Sequence, residues 1–192
     1  MRPTRLFPLL LIVALLAGCG NQPSAERLAR AARPSSEKVE QSFPRAGLRL
    51  ELPDNLSVTR TERPGVFYAS FGETVVSAFA YRRREQLPKT GAELSRALER
   101  LERATQDRDP AYVLRDSSAT KVGTSRAVEL VGDQTIQKQK LRTRSVHVYE
   151  GEAEYVLELL SPRKDFTRLD RDLFEPVLES LRVTGRVRRA RN

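Results

Sequence analysis

Leu48, Leu50 and Leu52 alternate with Arg49 and Glu51 until Pro53 ends the run, and a period of two predicts a strand with one buried face. Val66 to Phe71 and, after the turn Gly72-Glu73, Thr74 to Tyr81 are rich in β-branched and aromatic residues and read as a strand pair. The period then changes. Thr90-Gly91-Ala92-Glu93 has the form of a capping box, and Leu94, Ala97, Leu98, Leu101 and Ala104 form one apolar stripe, which predicts a helix over residues 91–106. Strands follow at Tyr112 to Leu114, Ser125 to Val131, Ile136 to Tyr149 and Ala153 to Ser161, with turns expected at Gly132-Asp133 and Glu150-Gly151-Glu152. A second helix is expected over residues 167–180, kinked or cut short by Pro176, and then a short strand from Leu181 to Thr184. Successive hairpins make the sheet mainly antiparallel. The class is α+β, a sheet of about six to seven strands covered by two main helices.

The ends of the chain have a different grammar. Two arginines, Arg2 and Arg5, precede an apolar run from Leu6 to Ala17, which is the pattern of an export signal. A dozen apolar residues rise only about 18 Å as a helix, too short to span a bilayer core, so a permanent transmembrane helix is the weaker reading. Leu16-Ala17-Gly18-Cys19 resembles the lipobox of bacterial lipoproteins. That resemblance implies cleavage after Gly18 and thioether lipidation of Cys19, rather than ordinary signal-peptide removal. It also accounts for the single cysteine of a chain entering an oxidising compartment. A diacylglyceryl group brings two acyl chains, enough for stable anchoring.

The expected organisation is a signal peptide over residues 1–18, a polar tether over 19–42, a folded domain over 43–184 and a basic tail over 185–192. Arg27, Arg30 and Arg33 recur at helical spacing in the tether and read as a solvated, fraying turn or a contact with anionic lipid. The formal charge of +9 invites a nucleic-acid reading, but residues 43–184 hold 24 basic against 22 acidic residues. Much of the excess lies in the leader (Arg2, Arg5) and the tail (Arg186, Arg188, Arg189, Arg191). A nearly neutral fold on an exported protein argues against a nucleic-acid partner.

Three segments are similar to the PsbP-like superfamily, which takes in the photosystem II extrinsic subunit P, a nuclear Ran-binding relative and actinobacterial lipoproteins of the LpqN type. They are Gly47 to Pro53; the pair Arg126 to Leu130 with Glu154 to Leu159; and Phe174 to Val183. The resemblance covers residues 43–184 and implies an α/β/α sandwich and a role in binding or scaffolding rather than catalysis. Metal sites proposed for plant members have no matching residues in this sequence, so no metal or cofactor is expected.

His147 is the only histidine, which excludes a multi-histidine metal site and leaves one candidate for a Ser-His-Asp relay. It shares a predicted face with Leu141, Thr143, Ser145 and Tyr149. With no nucleophile-elbow sequence beside it, a structural histidine is the favoured reading and no catalytic residue is assigned. Lys138, Lys140, Arg142 and Arg144 alternate on one predicted strand and would project from one face, about 7 Å apart. Such a row could meet an anionic polymer, lipid headgroups or an acidic protein, or it could guard a strand edge. Arg82-Arg83-Arg84 reads as the polar exit from a strand. The expected function is a lipid-anchored, non-catalytic binding or scaffolding protein on the extracytoplasmic face of the cell membrane. The alternative is a carrier of a small, lipid-like ligand in a pocket between sheet and helix.

Overall fold

A computed structural model describes residues 33–187. The expected leader, the lipobox residues Leu16, Ala17, Gly18 and Cys19, and the arginines beyond residue 187 lie outside the described residues. In chain order the elements are β1 (Lys38–Phe43), β2 (Leu48–Pro53), β3 (Ser57–Arg60), β4 (Gly65–Phe71), β5 (Thr74–Arg82), helix α1 (Gly91–Arg108), β6 (Val113–Val122), β7 (Ser125–Ile136), β8 (Gln139–Glu150) and β9 (Ala153–Pro162). A composite helix closes the chain: α2 (Phe166–Leu169), a π-helical turn (Asp170–Phe174) and α3 (Glu175–Ser180), followed by β10 (Arg182–Val183).

Seven strands form one antiparallel sheet in the order β3-β4-β5-β9-β8-β7-β6, and β1-β2-β10 form a second, smaller one. The α+β class is therefore as expected. One face of the large sheet, carrying Val76, Ala78, Val146, Val148, Leu157 and Leu159, packs with Leu50 and Leu52 of the small sheet and with Leu173, Phe174 and Val177 of the composite helix. That contiguous cluster is the core. Helix α1 lies on the opposite face, against β6 and β7, with Leu94 and Ala97 buried.

The capping box forms as predicted: Glu93 N–H donates to Thr90 Oγ1, and Thr90 N–H donates to Glu93 Oε2. Thr90→Ala is expected to cost about 1 kcal/mol in urea unfolding, as N-cap removals do. The kink expected at Pro176 takes the form of a π turn immediately before it. Proline has no N–H for the carbonyl four residues back and its ring crowds that carbonyl, so the helix widens by a residue there.

Four expectations give way to tertiary contacts. Strand β1 lies inside the segment read as tether, and the chain is held from its first described residue, since Asn55 Nδ2–H donates to the Arg33 carbonyl. Only Phe43 of β1 is buried; the strand is joined to β2 mainly through its backbone, so its polar sequence carries no period to read. At the other end, Glu152 N–H donates to the Gly185 carbonyl and Val187 packs against the core, so the fold continues past Thr184. Strand β6 runs to Val122 instead of stopping at Leu114, and as an exposed edge strand it too lacks alternation.

The fourth concerns the turn expected at Gly132-Asp133. Both residues lie within β7, and the hairpin turns at Gln137 and Lys138, whose φ values are 48° and 68°. Gly132 and Asp133 have other uses. A Cβ on Gly132 would come within 2.0 Å of Tyr112 Cζ, so glycine makes room for that ring, while Asp133 is buried among Arg115, Arg142 and Arg163.

Candidate functional site

Because α1 covers the β6 and β7 end of its face, the middle of that face is left under a partial roof. Register fixes which side chains fill it. On β9, Glu154, Val156, Glu158 and Leu160 point to this side; Tyr81, Phe79, Ser77 and Val75 of β5 stand beside them in that order, and Tyr149, His147, Ser145 and Thr143 of β8 on the other flank. Leu101, Ala104, Thr105 and Arg108 of α1 overhang them, and Tyr112, just after the helix, closes one end. The result is a cleft of about 550 Å³. A void of that size suits a small molecule.

Its walls are apolar and aromatic: Val75, Phe79, Leu101, Leu130, Val156 and Leu160. Its floor is not. His147 Nδ1 lies 2.7 Å from Glu154 Oε1, which places a proton on that nitrogen. Ser145 Oγ lies 3.2 Å from His147 Nε2 and 3.2 Å from Glu158 Oε1, so its one hydroxyl proton serves either neighbour, one at a time. Arg83 at the mouth is bonded to Glu154 and lies over the Tyr81 ring.

Burial opposes ionisation of Glu154, but the hydrogen bond and charge of His147 and the Arg83 guanidinium outweigh it and hold the carboxyl below its usual range. Asp133 is also held low, first by its hydrogen bond from Arg142. A carboxyl whose folded pKa lies below its unfolded value stabilises the fold above the unfolded value, and that contribution is lost as pH falls through the folded one. We therefore expect stability to decline below about pH 4. Glu154→Gln should flatten that decline relative to wild type when urea midpoints are compared across the acid range. A decline of unchanged steepness would remove Glu154 from the account.

Tyr112 is pushed up to about 12 by burial, with Glu158 and Asp133 adding to the effect. Tyr81 is raised for the same leading reason, again with Glu158 contributing. Both phenols therefore remain neutral donors at the cleft.

The row Lys138, Lys140, Arg142 and Arg144 is not brought together as four free cations. Lys138 is in the hairpin turn and Lys140 is exposed at the start of β8. Arg142 is bonded to Asp133, 2.7 Å away, and lies over the Phe166 ring. Arg144 is bonded to Glu129, Asp170 and Glu175 beneath the composite helix. Alternation placed the two arginines on one face correctly; that face is the covered one, where carboxylates from other elements meet them. Arg82 pairs with Glu152, and Arg83 with Glu154.

Glu154 and Glu158 were absent from the sequence-based site. The signal was present: two glutamates four residues apart, hence on one face, inside an otherwise apolar strand. Among the described residues no group of three or more His, Cys, Asp or Glu is placed to hold a metal ion, and no helix is long and apolar enough to cross a membrane.

No protein-family model matches the sequence, and no curated protein matches it. Solved structures do. The cyanobacterial PsbP (CyanoP) of Synechocystis superposes with a TM-score of 0.60 at 11% identity, over 77% of this chain and 92% of that one. The fold is PsbP-like. LpqN of Mycobacterium tuberculosis, described as involved in cell envelope biogenesis, has a TM-score of 0.51 at 14% identity, over 77% of this chain and 91% of that one. A protein from Bacteroides thetaiotaomicron scores 0.52 at 13% identity, over 76% of this chain but 48% of its own length. The PsbP-like frame supplies the layers, and the cleft on it is described by this chain's own side chains.

Proposed function

We propose that the protein is a lipid-anchored, non-catalytic binding protein on the extracytoplasmic face of the cell membrane, and that it takes a small ligand in the cleft between α1 and the large sheet. The cleft carries this reading: it combines apolar walls with a few convergent polar groups, the composition of a ligand site. The lipobox resemblance at Leu16 to Cys19 supports the anchor, and likeness in fold to an envelope-biogenesis protein supports the setting.

Ser145, His147 and Glu154 form a hydrogen-bonded series like that of a hydrolase, yet the surroundings oppose acyl transfer. Ser145 lies mid-strand between β7 and β9, so its backbone N–H belongs to the sheet ladder and is not free to meet an oxyanion. The Glu158 carboxylate, 3.2 Å from Oγ, would repel negative charge developing there. Both features suit binding.

The anchor is tested by membrane fractionation: wild type should stay in the membrane fraction and Cys19→Ala should be released. The cleft is tested by native mass spectrometry of the full chain extracted from its envelope. A co-purified small molecule that Ala104→Trp removes is the expected result. Equal release of both forms would refute the anchor, and an empty cleft with unchanged spectra would refute the ligand site.

A further inference from the structure

The charged groups of the cleft are not all paired. Glu154 is met by Arg83 and His147, and Asp133 nearby by three arginines. Glu158 has one hydrogen-bond partner, the Ser145 hydroxyl, and no cation pairs with it among the described residues. Its place is unusual, because β9 is the central strand of seven and the strand positions on either side of Glu158 along this face are Val156 and Leu160. A carboxylate at the centre of a sheet face, partly shielded from water and without a counter-charge, is costly unless a ligand supplies the charge.

What surrounds Glu158 says which cation would fit. Ser77 and Ser145 flank it across the sheet, and Phe79 lies diagonally beside it, with Tyr81 and Tyr112 completing an aromatic rim. Aromatic faces around a carboxylate attract ammonium groups and tolerate their alkyl substituents. Apolar walls above the floor would take a hydrocarbon or aryl body. Arg83, paired with Glu154, and the exposed Arg108 also line the cleft, and no ion pair joins either to Glu158.

We propose that the cleft binds a monocationic amine, an alkyl- or arylammonium, with its nitrogen at the Glu158 carboxylate and its apolar body against Leu160, Val75 and Leu101. An ammonium there also resolves the choice facing Ser145: with Glu158 occupied by ligand donors, the hydroxyl proton turns to His147 Nε2 and every polar group on the floor is satisfied. This rests on the cleft being a ligand site, as proposed above.

The test titrates the full chain, carried in phosphatidylglycerol nanodiscs, with 4-phenylbutylamine, 4-phenylbutanol and 4-phenylbutyrate, using discs with the Ala104→Trp variant as the blank. Ala104 lines the cleft yet is exposed, so tryptophan there fills the mouth without disturbing the core. The amine should bind at least about tenfold more tightly than the alcohol, and the carboxylate most weakly, as expected for a charge-assisted contact. Glu158→Gln should bring the amine down to the affinity of the alcohol. If amine and alcohol bind alike, or Glu158→Gln changes nothing, the ammonium inference is overturned while the cleft survives as a ligand site. If none binds above the blank, both readings fall. Repeating the titration in phosphatidylethanolamine discs separates the two sources of such a group: competition by the disc points to a lipid headgroup, and none points to a free amine.

Discussion

Arg144→Met should destabilise the fold by about 3 kcal/mol in urea unfolding at neutral pH, the low end of the cost of leaving buried charges unpaired, because these carboxylates are only partly buried. Arg144 is 13% exposed and holds Glu129 from β7 with Asp170 and Glu175 from the composite helix, which it thereby joins to the large sheet. Most of the cost should fall on Glu129 and Asp170, since Glu175 is 45% exposed. Arg144→Lys should recover only part of it, because one ammonium cannot fork across three carboxylates as a guanidinium does. Burial already raises the Asp170 pKa even with Arg144 beside it. Removing the arginine raises the Asp170 pKa further, so the variant's deficit should shrink as pH falls and that acid becomes neutral. A deficit independent of pH would show that packing under Phe174, not charge, is what Arg144 supplies.

The second large effect is expected at Gly132. A methyl group there meets the Tyr112 ring well inside contact distance, so Gly132→Ala must displace that ring, at about 1–3 kcal/mol for overpacking a filled site. Tyr112 is 9% exposed and closes one end of the cleft, so its displacement should weaken ligand binding as well as stability. Introducing Gly132→Ala into a Tyr112→Ala background should cost much less than in wild type, because the clash has been removed. Equal costs in the two backgrounds would mean that Gly132 is required by its backbone and not by the ring.

Both sites show where local pattern stops being informative. Gly132-Asp133 has the chemistry of a turn, and within a short window nothing distinguishes that use from packing beneath a tyrosine twenty residues earlier. Lys138 to Arg144 has a real alternation, and the arginines do share a face. Whether that face meets water or carboxylates depends on where Asp133, Asp170 and Glu175 arrive. The cleft was half legible: His147 was found, with its neighbours Thr143, Ser145 and Tyr149 on the same side of the strand. Glu154 and Glu158 are not legible as site residues, because a glutamate in an apolar run reads as a solvent-facing position until a helix is known to overhang it.

The sequence by itself determined the class of fold, the capped helix expected over residues 91–106, and the alternation that assigns residues of the inner strands to a side. These are properties of neighbours in the chain: hydrophobic period, capping chemistry and short motifs. Only the tertiary structure decided that a polar segment before the domain joins the small sheet and that the chain past Thr184 packs against the fold, that two arginines of an apparently basic row are paired with carboxylates from other elements, and that α1 covers one part of a face and leaves a cleft beside it. Those are decided by which charges and rings meet across long stretches of sequence, where burial makes an unmatched group costly and so fixes its partner.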